Sequence, residues 1–416
     1  MFLLDLAYIF LLIIALPFYL KIFFKKDYRE QLKCRFSPDI SPAQERRVWL
    51  HAVSVGEVKS LAGFVSQLEK SFKGDIVLSV TTPSGLKVAK MEFSGLKVIN
   101  APLDFSFTIK RFLKKIRPDI IILNELELWP NWITISKKAG IPIVLINGRI
   151  SDSAFVKYRR FSFFLKPFFS RLEMVMIQGE SYREKFIKLG VDPEKIKICG
   201  NIKADEAIGG LESIPLRSEI FKYLRAEKSS RKLILFASSH PEDEEFFLPL
   251  IKTLSKDFSI IIAPRHIDRI DKIEKSLKRE DVKYSVWSKE NIIDLKKSVV
   301  VFDKMGYLLN LMQIADIVFM GGSFNPKTGG HNLYEPAALG KKIIGGPCYN
   351  NFPDIGSTLV DNGVYSIVEN HEEMVKLLKG IKKQNIKKVK SSGIKSVKNR
   401  TGATKCSIKE IKKLLK

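Results

Sequence analysis

Short apolar runs rich in β-branched residues alternate with amphipathic stretches along most of the chain. In the first half the runs are Val48–Ser54, Asp75–Thr82, Leu96–Pro102, Asp119–Glu125, Ile141–Gly148 and Met174–Gly179. The second half repeats the scheme with Lys232–Ser239, Ser259–His266, Ser298–Asp303, Asp316–Ser323 and Lys341–Gly346. Between them, stretches such as Val58–Phe72 and Glu180–Gly190 carry apolar residues at helical spacing. Continuous apolar strands separated by helices predict parallel sheets covered on both faces. Two such series predict an α/β protein with two Rossmann-like domains facing each other across a cleft.

At 416 residues the chain exceeds one ordinary core, in keeping with two domains. The boundary is expected between Gly200 and Arg231, where strand signals lapse and a polar run, Arg225–Lys232, intervenes. The predicted organisation is a membrane anchor at 1–24, an N-terminal domain at 25–205, an interdomain segment at 206–230 and a C-terminal domain at 231–416. The last ends in lysine-rich closing helices from Lys376.

The apolar run Phe2–Phe24 is broken only by Asp5, Pro17 and Lys21. As a helix it would extend roughly 34 Å, enough to cross a bilayer. A signal peptide would need a basic stretch before the run and small residues at a cleavage site, and neither occurs. Basic residues follow the run instead, which places the remainder on the cytoplasmic side. The alternative is an interfacial helix kinked near Pro17. The formal charge of +25 adds candidate partners: anionic lipid, phosphorylated substrates or nucleic acid. No zinc-finger spacing, RNA-binding signature or helix-turn-helix pattern accompanies the lysines, so a nucleic-acid partner is not expected. The scattered Cys34, Cys199, Cys348 and Cys406 fit a reducing compartment, with neither a disulfide framework nor a zinc site.

Ligands of parallel sheets bind beyond the carboxyl ends of the strands. His51, His240, His266 and His331 all lie within or shortly after predicted strands, whereas His371 does not. Gly329 and Gly330 permit close backbone approach in Gly329–Pro336, and Asn332 is a candidate cap for a following helix whose amides would point at a phosphate. Glu335 then falls in the first turn of that helix, within reach of ribose hydroxyls. An ordinary strand-to-helix turn is the alternative there. Arg265, between Pro264 and His266, offers a guanidinium fork suited to phosphate. In the first half, Glu57 and Glu125 follow neighbouring strands, where carboxylates suit general-base chemistry on a hydroxyl acceptor. A structural role is favoured for Glu127. Lys203 lies at the domain boundary.

Taken together, His51–Glu57, Thr81–Gly85, Asn124–Pro130, Ile146–Ser151, Gly200–Asp205, Ala263–His266, Asp303–Leu308, Met320–Ser323 and Gly329–Pro336 resemble the 3-deoxy-D-manno-octulosonic acid (Kdo) transferases of lipopolysaccharide synthesis. The resemblance implies a GT-B fold with no metal in catalysis and no cofactor. It also implies transfer of Kdo from CMP-Kdo to a lipid A precursor (lipid IVA) at the cytoplasmic face of the inner membrane. By position, Glu57 matches the proton acceptor of the family, and Glu125 and Lys203 match residues that stabilise the transition state. Pro264, Arg265 and His266, then Met305, Gly306 and Tyr307, and then Gly329, Gly330, Asn332, Leu333, Tyr334 and Glu335 match the CMP-binding segments. Two positions depart from the pattern. Tyr307 replaces the usual Glu, and Ala204 replaces the Phe that commonly follows the lysine. The expected reaction is a single inverting displacement. The rival readings are a GT-B transferase with another nucleotide sugar and a non-catalytic basic membrane- or RNA-binding protein.

Overall fold

The computed structural model describes residues 4–6, 8–10, 32–42, 45–213, 231–290, 295, 299–383 and 387–415. The anchor reading at 1–24 lies largely outside the described residues, as does the interdomain segment from 214 to 230. Among the described residues no helix is long and apolar enough to cross a membrane. The chain forms two compact units, one of Met1–Glu206 with Thr401–Lys416, the other of Ala207–Arg400.

The first unit holds β1 (Arg47–Ala52), β2 (Asp75–Val80), β3 (Lys97–Asn100), β4 (Ile120–Asn124), β5 (Ile143–Gly148), β6 (Met174–Ile177) and β7 (Ile196–Ile198). They form one sheet in the order β3-β2-β1-β4-β5-β6-β7, every pair parallel. Alternation along the strands sends Val48, Leu50, Ile120 and Ile122 into one core and Trp49, Ile121 and Leu123 into the other. The order reverses between β1 and β4, the kind of switch point at whose strand ends ligands of such sheets bind.

The second unit holds β8 (Leu233–Ser239), β9 (Ser259–Pro264), β10 (Tyr284–Val286), β11 (Val299–Val301), β12 (Ile317–Met320), β13 (Lys342–Gly345) and β14 (Tyr365–Ile367). Its sheet is again wholly parallel, in the order β10-β11-β9-β8-β12-β13-β14. The switch point falls between β8 and β12. The expected fold of two Rossmann-like α/β units is therefore the observed one.

Two expectations are corrected. The C-terminal domain does not run to 416, because the Ala403–Leu414 helix buries Ile408 and Ile411 in the same core as Val48 and Leu50 of the first unit. Asp205 holds the start of this helix, accepting the Gly402 and Thr404 N–H groups at 2.5 and 2.6 Å. The cysteines are not all unpaired either. Cys199, just after β7, is bonded to Cys406 on that helix, across a separation of 207 residues.

Candidate active site

In the first unit, β1 leads into the Val55–Ser60 helix, with Glu57 in its first turn. Ser54 Oγ accepts the Glu57 N–H at 3.4 Å, while the Glu57 carboxylate accepts the Val53 N–H at 3.0 Å and the Ser54 hydroxyl at 3.3 Å. This reciprocal bonding fixes the side chain much as a capping box does. Burial, and then the negative charge of Glu125, raise the Glu57 pKa to about 7. A carboxylate of that pKa is a stronger base than a free one and is still available near neutral pH.

Glu125 follows β4 in the left-handed region, at φ 57°, a costly conformation for a non-glycine residue. Its carboxylate takes Lys203 Nζ on one oxygen and Arg149 Nε on the other, each at 3.1 Å. Burial pushes Glu125 upward, but Lys203 and Arg149 outweigh it and hold the group below the ordinary carboxyl value. It is therefore anionic at neutral pH, and its charge adds to burial in raising Glu57. Lys203 lies on the Ile202–Ser213 helix. The start of that helix is bonded into the strand ends: Asn147 Oδ1 accepts the Ile202 N–H at 3.3 Å, and Asn201 Oδ1 accepts the Lys203 N–H at 3.0 Å. Glu127 is also lifted to about 7, by burial first and then by Glu125. His51 stands apart from these groups. It is wholly buried within β1, bonded through Nδ1 to Ser79 Oγ at 2.9 Å, and burial lowers its pKa to about 3.

In the second unit the candidate residues sit on the loops after β8, β9, β11 and β12. Ser238 takes φ 54° where the β8–β9 register shifts, and His240 follows at the end of the strand. The His240 N–H donates to Asp243 Oδ2 at 2.8 Å, and the same carboxylate accepts the Gly322 and Ser323 N–H groups at 2.6 and 3.2 Å. One buried carboxylate thus ties the loop after β8 to the loop after β12. Arg265 is exposed beyond β9, its N–H bonded to Ser239 O at 3.0 Å. Met305 and Gly306 are exposed beyond β11, and the Tyr307 ring stands edge-on to Phe302 at 5.8 Å. Gly330 has φ 76°, and a Cβ there would come within 2.7 Å of Cys348 O, so both conformation and space require glycine. Asn351 Nδ2 donates to the Gly330 carbonyl at 3.0 Å, and its N–H donates to that of Gly329 at 2.9 Å.

Asn332 is not the cap of the following helix. That helix spans only Tyr334–Ala338 with Leu333 at the cap, while Asn332 bonds its side-chain oxygen to the Tyr334 N–H at 3.0 Å and its amide to Glu335 Oε1 at 2.9 Å. Leu333 and Tyr334 are buried; Glu335 does lie in the first turn. Three features here were not expected from the sequence: Arg149 on Glu125, Asp243 between the loops, and the contact between His240 and His331. Arg149 lay within a recognised string, and the adjacency of β5 to β4 is what brings it to Glu125. Among the described residues no group of three or more His, Cys, Asp or Glu is arranged to hold a metal ion.

The family description "3-Deoxy-D-manno-octulosonic-acid transferase (kdotransferase)" matches residues 27–206. A 3-deoxy-D-manno-octulosonic acid transferase of Chlamydophila psittaci is 32% identical over 369 residues, covering 87% of this chain and 84% of the relative. The chain belongs to the Kdo transferase family. A bifunctional glycosyltransferase/methyltransferase of Fusobacterium nucleatum is 33% identical over 377 residues, covering 89% of this chain, which spans 58% of that longer relative. A solved glycosyltransferase from Rickettsia africae shares the fold, with a TM-score of 0.60 and 16% identity over 90% of this chain and 99% of that one. As a Kdo transferase the chain departs from the family pattern at Ala204, which is fully buried, yet the neighbouring Lys203 amine still reaches Glu125.

Proposed function

We propose that this Kdo transferase moves Kdo from CMP-Kdo to lipid IVA, a lipid A precursor, in one inverting step at the cytoplasmic face of the inner membrane. The observation that carries the reading is the pairing of Glu57, lifted to about 7, with an ionised Glu125 held by Lys203 and Arg149. Glu57 removes the proton of the acceptor hydroxyl as its oxygen attacks the anomeric carbon. The bond from that carbon to the phosphate oxygen breaks, and CMP leaves with its electron pair. Arg265 and the loops at Met305–Tyr307 and Gly329–Glu335 hold the nucleotide, and Lys203 offsets developing charge electrostatically. The same reading makes the reaction independent of metal.

Membrane contact is supported by the helices Asp152–Arg160 and Ser162–Phe169. The first buries no side chain and the second buries only Phe169. Phe163 is 82% exposed, with Val156, Phe161 and Phe164 also open and Lys157, Arg159, Arg160 and Lys166 around them. Aromatic and basic residues on one surface segment suit an anionic bilayer interface.

The test is incubation with CMP-Kdo and tetra-acylated lipid A precursor, with products read by mass spectrometry. The expected result is a mass gain of one or more Kdo units, inhibited by CMP, unaffected by UDP and unchanged by EDTA. Binding of UDP in preference to CMP, with no Kdo transfer, would assign the site to another nucleotide sugar.

A further inference from the structure

His240 and His331 meet directly, Nε2 to Nε2 at 2.8 Å, with their rings stacked 5.0 Å apart. Two imidazole nitrogens at that distance can hold a single proton between them: one donates and the other presents its lone pair. The neutral pair therefore carries two N–H protons in all and its cation three. The contact is built rather than incidental. Asp243 binds the backbone of both loops, Gly330 N–H donates to Gly322 O at 2.9 Å, and His331 N–H donates to Gly321 O at 3.3 Å. Gly322, at φ 71°, leaves room for the His331 ring, since a Cβ there would press to 3.3 Å from it.

The surroundings set the charge of the pair. Around His240, burial opposes the cation, Asp243 and Glu242 favour it, and His266 and Arg265 oppose it. The His266 ring stands edge-on to His240 at 5.8 Å. Around His331, burial and then His240, Arg265 and His266 lower the pKa to about 4. With no bound ligand anion, burial and the neighbouring basic groups outweigh Asp243 and Glu242 and leave the pair neutral at pH 7. An anion placed among these four basic side chains reverses the balance and favours uptake of a proton.

We infer that the His240–His331 pair is a proton carrier for the departing nucleotide phosphate, charged when the donor binds and discharged when the sugar leaves. The inference rests on the reading of the second unit as the CMP-Kdo site. In the donor the phosphate is a diester with one negative charge. As the bond to the anomeric carbon breaks, its electron pair stays on the phosphate oxygen and a monoester forms. That monoester has a second pKa of about 6, within range of an imidazolium, whereas a carboxylate titrates lower. The imidazolium gives its proton to the new phosphate oxygen and returns to the neutral pair. The acceptor hydroxyl proton goes separately to Glu57 and then to solvent, while a proton from solvent recharges the pair. CMP therefore leaves carrying one proton, and a net proton is released only when it ionises in solution.

The test is calorimetric titration of the full chain at pH 7 with CMP and with cytidine, each in two buffers of different ionisation heat. Wild type should take up close to one proton with CMP and none with cytidine. His331→Gln and His240→Gln should abolish that uptake and weaken CMP by about tenfold or more, with cytidine affinity retained. CMP binding without proton uptake in wild type would overturn the inference and leave the donor reading intact. Uptake that persists in both variants would also overturn it. Failure of CMP to bind wild type at all would instead defeat the donor reading, and the inference with it. The wild-type measurement is decisive even if a variant fails to fold.

Discussion

Glu57 is placed where it weakens the fold. Between the ordinary carboxyl value of 4.5 and about 7, the folded protein holds a proton that the unfolded chain releases. Stability is therefore lost as pH rises through that window, by on the order of 3 kcal/mol at most for one such group. Glu127, also lifted to about 7, acts in the same direction. Glu125 has the opposite sign: Lys203 and Arg149 hold it low, so its contribution is present above the ordinary carboxyl value and lost as pH falls through its own lower one. Thermal unfolding of Glu57→Gln should accordingly show a higher Tm than wild type at pH 8 and little difference at pH 4.5. Equal Tm values at pH 8 would mean that Glu57 is not held in a costly ionised state. Losing Lys203 should be more damaging. Lys203→Ala leaves Arg149 as the remaining partner of a buried carboxylate, an arrangement that typically costs several kcal/mol when a pair is broken. Its unfolding midpoint in urea should fall, while Lys203→Arg restores part of the loss.

At the scale of elements, the tail is the feature that the sequence concealed. Lysine-rich helices near the C-terminus were legible from spacing, but nothing local says which core receives Ile408 and Ile411. That choice is made by long-range packing, and by Asp205 and Cys199, these two some two hundred residues away in the chain. Ile411→Ala should destabilise the first unit by roughly 2–5 kcal/mol. In urea, the unit that carries Trp49 and Trp132 should unfold earlier, while CMP affinity holds. A fall in CMP affinity with no change in the first unit would return the tail to the second. The strands divide in the same way. Every apolar run named from the sequence contains a strand, most of them continuously buried in a plain pattern, although β3 at a sheet edge buries only Ile99. The edge strands β7, β10 and β14 are three residues each and partly exposed, and carry no such pattern. Motif strings located Glu57, Glu125 and Lys203, yet only the β5–β4 adjacency reveals Arg149, and only the Asp243 bridge reveals why His240 meets His331.

For the whole molecule, charge and exposed aromatics combine into a prediction about surfaces. A formal charge of +25, with Phe163 and its basic neighbours on the first unit, should bring the protein to vesicles containing anionic lipid and not to neutral ones. Sedimentation with vesicles should fall as salt rises, and a Phe163→Ser, Arg160→Ser variant should bind more weakly at every salt concentration. Undiminished binding by that variant would place the lipid contact elsewhere on the chain. The central claim, that Glu57 is the base for Kdo transfer, is tested most directly by turnover of Glu57→Gln. With CMP-Kdo and tetra-acylated lipid A precursor, wild type should give a Kdo-bearing product at a rate that rises as pH passes through about 7, following ionisation of Glu57. Glu57→Gln should bind CMP as wild type does and form product at least about a hundredfold more slowly, the usual loss when a general base is removed. Near-normal turnover by that variant would contradict the assignment.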